Sequence, residues 1–410
     1  MQEGSLAGEQ SLHPTAVPFQ QPGGISKQTS VTDATRYIPH PIQCLLWGRS
    51  GGRCEFCNKP LWKSSVTQEQ VKLAEMAHIY SFSTDGPRGN SGILKEEIND
   101  IANLLLVCCE CHKTIDQDKE GKRYSAAFLS NIKNEHERRI EIVTGIGPDK
   151  TSHVLHYGAN VGDHSSPLNF GLTAPALFPG RYPADDKAIE LATINSSFKD
   201  RNPKFWSVES DELTAKFNLR VQERLASGEI SHLSVFAFAP QPLLILLGSL
   251  LTDIIPADIY QLHREPQGWS WPDGAKAIPF DIGEPKDTNG PPALVFSLSA
   301  TVAPDRIEAV LGQDVSIWSV RILAPHNDFL KSREQLVLFR SQMRPLLDRI
   351  KAVHGQKTAL HIFPAVPVSI AVELGRVRMP KADMPWTIYD QINAQGGFVP
   401  AITIPKGVQA

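Results

Sequence analysis

Cys54-Glu55-Phe56-Cys57 and Cys108-Cys109-Glu110-Cys111-His112 stand on either side of Ala74-Glu75-Met76-Ala77-His78-Ile79, and this arrangement decides how the front of the chain is read. Each cysteine pair has the two-residue spacing that lets two thiolates of one knuckle reach one tetrahedral metal. Two such knuckles close a four-thiolate zinc site with no open coordination position, so the zinc expected at Cys54, Cys57, Cys108 and Cys111 is structural. His78 and His112 are then free for other chemistry. Of the two remaining cysteines, Cys44 reads as a small buried hydrophobe, and Cys109 is too close to Cys111 for a knuckle.

The 410 residues suffice for two or three domains. A formal net charge of -3 excludes a protein that coats nucleic acid through overall positive charge. Any DNA contact must come from a local patch or from assembly. Six cysteines, four of them in knuckles, fit a reducing compartment and predict a cytoplasmic location. Residues 1–35 are rich in Gln, Ser, Gly and Pro without an apolar run, which predicts a mobile tail and no signal peptide. The most apolar stretch, Pro242 to Leu251, is too short to span a bilayer and predicts a buried helix, so no membrane partner is expected.

Residues 36–145 form the first expected domain, closing with Ser125 to Ile142, where Phe128, Leu129, Ile132, His136 and Ile140 recur at helical spacing. Residues 146–185 shift to Gly, Pro, Ser, Asn and His and predict a linker or an irregular entry segment. From 186 to 410, strand runs alternate with helical segments. His232 to Ala239 and Ala257 to His263 read as strands around an apolar helix. Leu294 to Val302 and Ser316 to Leu323 are strand-like, Asp328 to His354 is a long amphipathic helix, and Thr358 to Phe363 is a strand entering a further helix. The expected fold is an α+β zinc-braced domain followed by an α/β domain of two Rossmann-like halves, with a crevice at the carboxyl ends of the strands.

Phosphodiester hydrolysis needs a base for water, a cation for the scissile phosphate and a frame that holds both. Glu75 to Tyr80 reads as a strand carrying His78, a base in the neutral range. Asn103 opens the run Asn103-Leu-Leu-Leu-Val-Cys108. His112 and Asp116 lie four apart on an expected helix and share a face, so the pair is a candidate Mg²⁺ grip. Arg49, Arg53, Arg88, Lys113, Lys122, Arg123 and Lys133 are candidate phosphate contacts, although interspersed acids give each a solvated-face reading as well. In the larger domain, the helix expected near Val366 offers amide groups to a phosphate, with Arg376, Arg378 and Lys381 beyond it. Tyr260, Trp269, Trp271, Phe363 beside Pro364, Trp386 and Tyr389 are candidate stacking platforms for bases. Of these, Trp269 and Trp271, in the polar Gly268-Trp-Ser-Trp-Pro272 loop, are the ones not expected in the core.

The first domain resembles the HNH endonuclease family through Cys54-x2-Cys57, Ala77-His78-Ile79, Gly86-Pro87-Arg88-Gly89, Asn103-Leu104 and Cys108-x2-Cys111-His112. The resemblance implies a ββα-metal unit in which His78 is the general base, Asn103 braces the loop or polarises the base, and His112 is a metal ligand. Asp116 stands where related nucleases often place a further histidine ligand. Many family members carry a metal ligand immediately before the base, where this chain has Ala77. Glu75, on the same strand face, is the candidate replacement, and waters and substrate oxygens are the alternative.

The remainder resembles the SAVED domain, a fusion of two CARF-like Rossmann units, through Val235 to Pro240, Ala257 to His263 and His361 to Asp390. The whole chain is thus similar to the HNH-SAVED effectors of cyclic-oligonucleotide-based antiphage signalling systems (CBASS). That resemblance implies structural zinc, catalytic Mg²⁺ and a cyclic di- or trinucleotide activator. It also implies a homo-oligomer on activation and double-stranded DNA as substrate. Two other readings stand beside it: an ungated or modification-dependent restriction endonuclease, and a nucleotide-binding protein whose HNH unit has decayed, as Ala77 suggests.

Overall fold

The structure is a computed structural model that describes residues 37–89, 94, 97–159, 168–192, 203–392 and 397–407. The expected tail, 1–35, lies outside the described residues. The chain divides into two compact units between Glu141 and Ile142.

The first unit runs α1 (His40–Ser50), β1 (Ala74–His78), β2 (Leu104–Cys108), α2 (Cys109–Gln117) and α3 (Ala126–Thr144). Proline in its first turn opens α1, and Gly51, at φ 61°, closes it in the left-handed conformation that glycine adopts without strain. β1 and β2 pair antiparallel from Ala74 opposite Cys108 to His78 opposite Leu104. Every residue of β2 is buried, and Leu104 to Val107 pack with Leu46, Leu61, Ala77, Ile115 and Leu129. Leu129, Lys133 and His136 form the buried stripe of α3. Lys133 is therefore no phosphate contact: its ammonium faces Glu137 at 2.5 Å and Glu55 at 3.6 Å inside the unit.

The second unit begins with β3 (Thr151–Gly158), α4 (Phe170–Thr173), β4 (Tyr182–Pro183), β5 (Ile189–Glu190), α5 (Pro203–Phe217) and α6 (Glu223–Ala226). It continues through β6 (Leu233–Phe238), α7 (Gln241–Leu251), β7 (Ala257–Ile259), β8 (His263–Arg264), β9 (Gln267–Gly268) and β10 (Asp281–Gly283). Then come β11 (Pro292–Ser297), α8 (Pro304–Leu311), β12 (Ser316–Arg321), α9 (Arg333–His354), β13 (Leu360–Phe363), α10 (Val368–Val377), β14 (Trp386–Ile392) and β15 (Gly397–Ile404). One parallel sheet has the order β4-β3-β6-β7, with β5 also on β3. The other has the order β10-β12-β11-β13-β14-β15, parallel inside and antiparallel at both edges.

The expected linker at 146–185 is corrected, because it contains β3, an interior strand of the first sheet. Its polar letters hid it. Ser152 and His156 are buried but bonded, Ser152 Oγ to His232 Nδ1 at 2.9 Å and His156 to Glu190 and Thr173 at 2.8 Å each. Buried polar groups that find partners cost a strand little.

An internal repeat relates the two sheets. Leu233-x-Val235-Phe236, Pro240, Gly248 and Pro256-x-x-Ile259-Tyr260 recur as Leu360-x-Ile362-Phe363, Pro367, Gly375 and Pro385-x-x-Ile388-Tyr389. Phe236 stacks on Tyr260 with centroids 4.3 Å apart and planes at 16°, and Phe363 stacks on Tyr389 at 4.3 Å and 16°. The edge-on partners also match, Trp269 at 5.2 Å and Phe398 at 5.1 Å. The repeats meet where α7 crosses α10. A Cβ on Gly248 would lie 1.9 Å from Val372 O, and one on Gly375 would lie 2.0 Å from Ile245 O. Val372 and Ile245 occupy equivalent places, each one helical turn before its own glycine, so the contact is reciprocal.

Gly→Ala inside a helix ordinarily stabilises by about 1 kcal/mol. Here Gly248→Ala and Gly375→Ala are each expected to destabilise by about 2–3 kcal/mol, because backbone cannot retreat as a side chain can. Denaturant midpoints check the sign, and a gain in stability at either position would refute the close crossing.

Candidate functional site

Both cysteine pairs sit on local turns. In the first, Cys54 N–H donates to Lys59 O at 2.9 Å and Asn58 N–H to Cys54 O at 2.7 Å, with Asn58 at φ 63°. In the second, Cys108 ends β2 and precedes the first residue of α2, whose first turn carries Cys111. The four sulfurs lie within 4.8 Å of one another. A tetrahedron with zinc–sulfur bonds near 2.3 Å has edges of about 3.8 Å, and Cys57 Sγ is 3.8 Å from Cys108 Sγ. Burial and the surrounding sulfurs push the Cys111 thiol far above its ordinary range. A dication relieves that opposition by taking the sulfurs as thiolates, so the donor set fits structural zinc. Cys109 and Cys44 are exposed. For Cys44 this corrects the expected burial, since α1 turns Leu46 and Ser50 inward instead.

His78 ends β1, and its Nε2 lies 2.9 Å from Asn99 Oδ1. Asn99 Nδ2 donates to Tyr37 O at 3.2 Å, which orients the amide with its oxygen toward the imidazole. In that orientation a neutral ring donates from Nε2 and has its lone pair on Nδ1. Asn103 is buried and spent on backbone: Oδ1 accepts from Tyr80 N at 2.8 Å, while Nδ2 donates to Tyr80 O at 3.1 Å and Ile98 O at 2.8 Å. It clamps the chain on both sides of the strand pair, and none of these three bonds goes to the His78 ring.

His112 lies between two carboxylates. Its Nδ1 is 2.5 Å from Glu75 Oε2, and its Nε2 is 3.3 Å from Asp116 Oδ2. Two ligands at adjacent corners of an octahedron with bonds near 2.1 Å are about 3.0 Å apart, so His112 Nε2 and Asp116 fit one small cation. Glu75, on the far side of the ring, has the place of an orienting carboxylate and not of the ligand missing at Ala77. Among the described residues only the four cysteines gather three or more such ligand atoms within 4.8 Å.

Arg88, expected on phosphate, is instead an internal brace. It donates to Ile79 O at 2.6 Å, Ile115 O at 3.3 Å and His78 O at 3.4 Å, and its guanidinium lies 3.6 Å from Asp116. One side chain thus ties the end of β1 to α2. Arg49 faces Glu137 at 3.6 Å, Arg53 donates to Asn58 O, Lys122 pairs with Glu120, and Arg123 lies over the Tyr124 ring. Lys113 is exposed.

The expected ligand-binding set of the second unit divides. Tyr260, Trp269, Phe363, Pro364, Trp386 and Tyr389 are buried, most of them in the ring stacks that seat the sheets, so they offer no open face to a base. Trp269 corrects the reading of its loop as surface. Arg376 is 3% exposed and donates to Thr252 O, Ala257 O and Ile255 O, closing the end of α7 and the turn into β7. Arg378 donates to Pro405 O. Lys381 is exposed, and Trp271 is partly exposed while packing against the core. The start of α10 is partly taken: Val366 N donates to Gln241 Oε1, and Ser369 N and Oγ donate to Gln261 Oε1. Sequence reasoning missed Asn99, Gln241 and Gln261, although Gln261 directly follows the repeated Pro-x-x-Ile-Tyr and was findable by aligning the halves.

A ββα unit with a four-cysteine cluster is thus followed by two fused α/β halves. A family model of HNH endonucleases matches residues 54–119, and one described as "SMODS-associated and fused to various effectors sensor domain" (SAVED) matches 213–404. The chain joins an HNH endonuclease domain to a SAVED sensor domain. Among solved structures it is similar to an Acinetobacter baumannii Cap4 SAVED/CARF-domain containing receptor with the cyclic trinucleotide 2'3'3'-cAAA, at 11% identity and TM-score 0.41, covering 77% of this chain and 63% of that one. The same receptor with 3'3'3'-cAAA matches at 12% and 0.40, covering 76% and 67%. A Moraxella osloensis Cap4 receptor matches at 12% and 0.38, covering 76% and 66%. The chain thus spans less than two thirds of the length of the first of these. No curated protein matches it. Among the described residues no helix is long and apolar enough to cross a membrane.

Purified protein is expected to hold one zinc per chain by elemental analysis. Cys111→Ser should lose that zinc and unfold the first unit, because metal binding is part of its folding free energy. A folded, zinc-free Cys111→Ser protein would contradict the assignment.

Proposed function

We propose that the chain is a gated antiphage effector of the CBASS type. Its HNH domain hydrolyses double-stranded DNA when a cyclic di- or trinucleotide occupies the SAVED unit and drives oligomerisation. The observation that carries this reading is the pairing, in one chain, of an HNH endonuclease domain with a sensor domain of a family fused to effectors. The domain limits that go with it are 36–145 for the nuclease and, after inclusion of β3, about 147 to 407 for the sensor.

In the nuclease, His78 is the general base. Asn99 holds Nε2 protonated, so Nδ1 takes a proton from water as the oxygen attacks phosphorus. The bond from phosphorus to the leaving oxygen breaks, and that oxygen is protonated from solvent. Asn103 fixes the backbone around the base through its three hydrogen bonds. Glu75 holds the His112 Nδ1 proton and directs Nε2 toward the side where Asp116 stands. When bound there, Mg²⁺ supplies charge stabilisation to the phosphate and the leaving oxygen.

A net charge of -3 gives a single chain little affinity for DNA. Clustering several nuclease domains raises their effective concentration on one duplex, which makes assembly a workable switch. The nucleotide drives that switch only through tighter binding to the assembled form. Reduced thiolates in the knuckles suit the cytoplasm.

Plasmid DNA, Mg²⁺ and a panel of cyclic di- and trinucleotides test the reading. Cleavage is expected only with an active nucleotide. Cutting without any nucleotide would instead favour an ungated restriction enzyme, and no cutting with every nucleotide would favour a decayed nuclease. With the activator present, His78→Ala should lower cleavage about a thousandfold and Asn99→Leu about tenfold, with DNA binding unchanged in both. Wild-type rates in His78→Ala would assign the base elsewhere.

A further inference from the structure

His263 is the second unit's most conspicuous unpaired group. It is 1% exposed, and neither Nδ1 nor Nε2 has a hydrogen-bond partner among the described residues. Beside it stands Trp271, whose ring meets the imidazole edge-to-face with centroids 5.2 Å apart, and whose Nε1 is buried without a partner as well. Three unpaired polar atoms within one ring contact are costly, since each forfeits its bonds to water.

Their position explains what they face. His263 opens the β8–β9 hairpin that follows the carboxyl end of β7. The loop that follows β12, from the other half, closes on the same hairpin: Arg264 N donates to Asp328 Oδ1 at 3.1 Å, and Lys331 Nζ donates to Glu265 O at 2.8 Å. The pair therefore lies where loops from the carboxyl ends of both sheets meet, the usual place for a ligand in such folds. The halves diverge in sequence at this point, since Tyr389 is followed by Asp390-Gln391-Ile392 where Tyr260 is followed by Gln261-Leu262-His263.

We infer that His263 and Trp271 form a base-reading pocket that hydrogen-bonds the edge of one nucleobase of the bound cyclic oligonucleotide. The inference rests on the sensor reading above and adds the part of the ligand that this half recognises. Burial, with Lys331 adding to it, pushes His263 down to about 4, so its ring is neutral at physiological pH. A neutral imidazole offers one N–H and one bare nitrogen, and the indole offers a second N–H. A phosphate supplies acceptors only and would leave the bare nitrogen unpaired. A base, with ring nitrogens and exocyclic groups, supplies both kinds of partner. Trp271 is partly exposed, and the pocket requires this one indole to move aside for a base to reach His263.

The test is binding of the full chain to a panel of cyclic di- and trinucleotides that differ in one base, with wild type, His263→Leu, His263→Gln and Trp271→Phe. His263→Leu should raise the unliganded melting temperature, because two unpaired buried nitrogens are gone, and weaken the best ligand at least about tenfold. Trp271→Phe keeps the ring and loses the N–H, and should weaken it about fivefold. All three variants should narrow the affinity gap between ligands differing in one base. If wild type binds part of the panel and the variants keep both its affinity and its base preference, the pocket assignment fails while the sensor reading stands. If wild type binds nothing in the panel, the sensor reading fails and the pocket with it. Should His263→Leu not fold, Trp271→Phe and His263→Gln decide the question alone.

Discussion

The second unit depends on two glycines held against each other's helix. Gly248 and Gly375 let α7 and α10 cross at backbone distance, and a single methyl at either position would overlap a carbonyl of the other helix. Because each half presents the same surface to the other, the crossing fixes a local two-fold relation between two sheets. Everything at the crevice inherits that relation. Gln241 reaches Val366 and Gln261 reaches Ser369 only because the helix starts lie side by side. Buried Arg376, which closes three carbonyls at the end of α7 from within α10, strengthens the joint with a charge that has no freedom to bind anything else.

The first unit is held differently. A strand pair of five residues each and three helices bury the core of this unit, and a metal that joins distant segments constrains such a unit further. The sulfur cluster supplies that constraint at one end, and Arg88 ties β1 to α2 at the other. The catalytic candidates lie along the same two elements, His78 on β1 and His112 and Asp116 on α2. Their relative placement is thus set by the parts that hold the fold together.

What the sequence disclosed follows from what each pattern encodes. Cysteine spacing is a direct geometric statement, so Cys54, Cys57, Cys108 and Cys111 were legible, as was the shared face of His112 and Asp116. The strands at Leu233 and Leu360 were legible because apolar runs between turn residues admit few alternatives. β3 was not, since its Ser152, His153 and His156 read as loop letters until partners on other strands are known. Arg88, Lys133 and Arg376 were misread for one reason: charge suggests a surface, and only coordinates reveal a guanidinium or ammonium committed to internal carbonyls and carboxylates. The aromatics were misread in the converse way, since a ring that stacks on another ring in the core has the same letter as one that stacks on a base. Asn99 left no pattern at all; its role exists only through its approach to His78.

A two-fold frame with unequal linings has a consequence for recognition. Phe236–Tyr260–Trp269 and Phe363–Tyr389–Phe398 seat the two sheets with the same geometry, so the two halves share one frame. Discrimination must then come from positions where the repeats diverge. Unpaired donors and acceptors are the sharpest such means, because a mismatched partner leaves them unsatisfied at a cost that apolar contact does not exact. In the proposed pocket His263 and Trp271 supply that means in the first half. Under the proposed pocket, a ligand with repeated units meets a shared frame with unlike linings, and the difference between the halves supplies the discrimination.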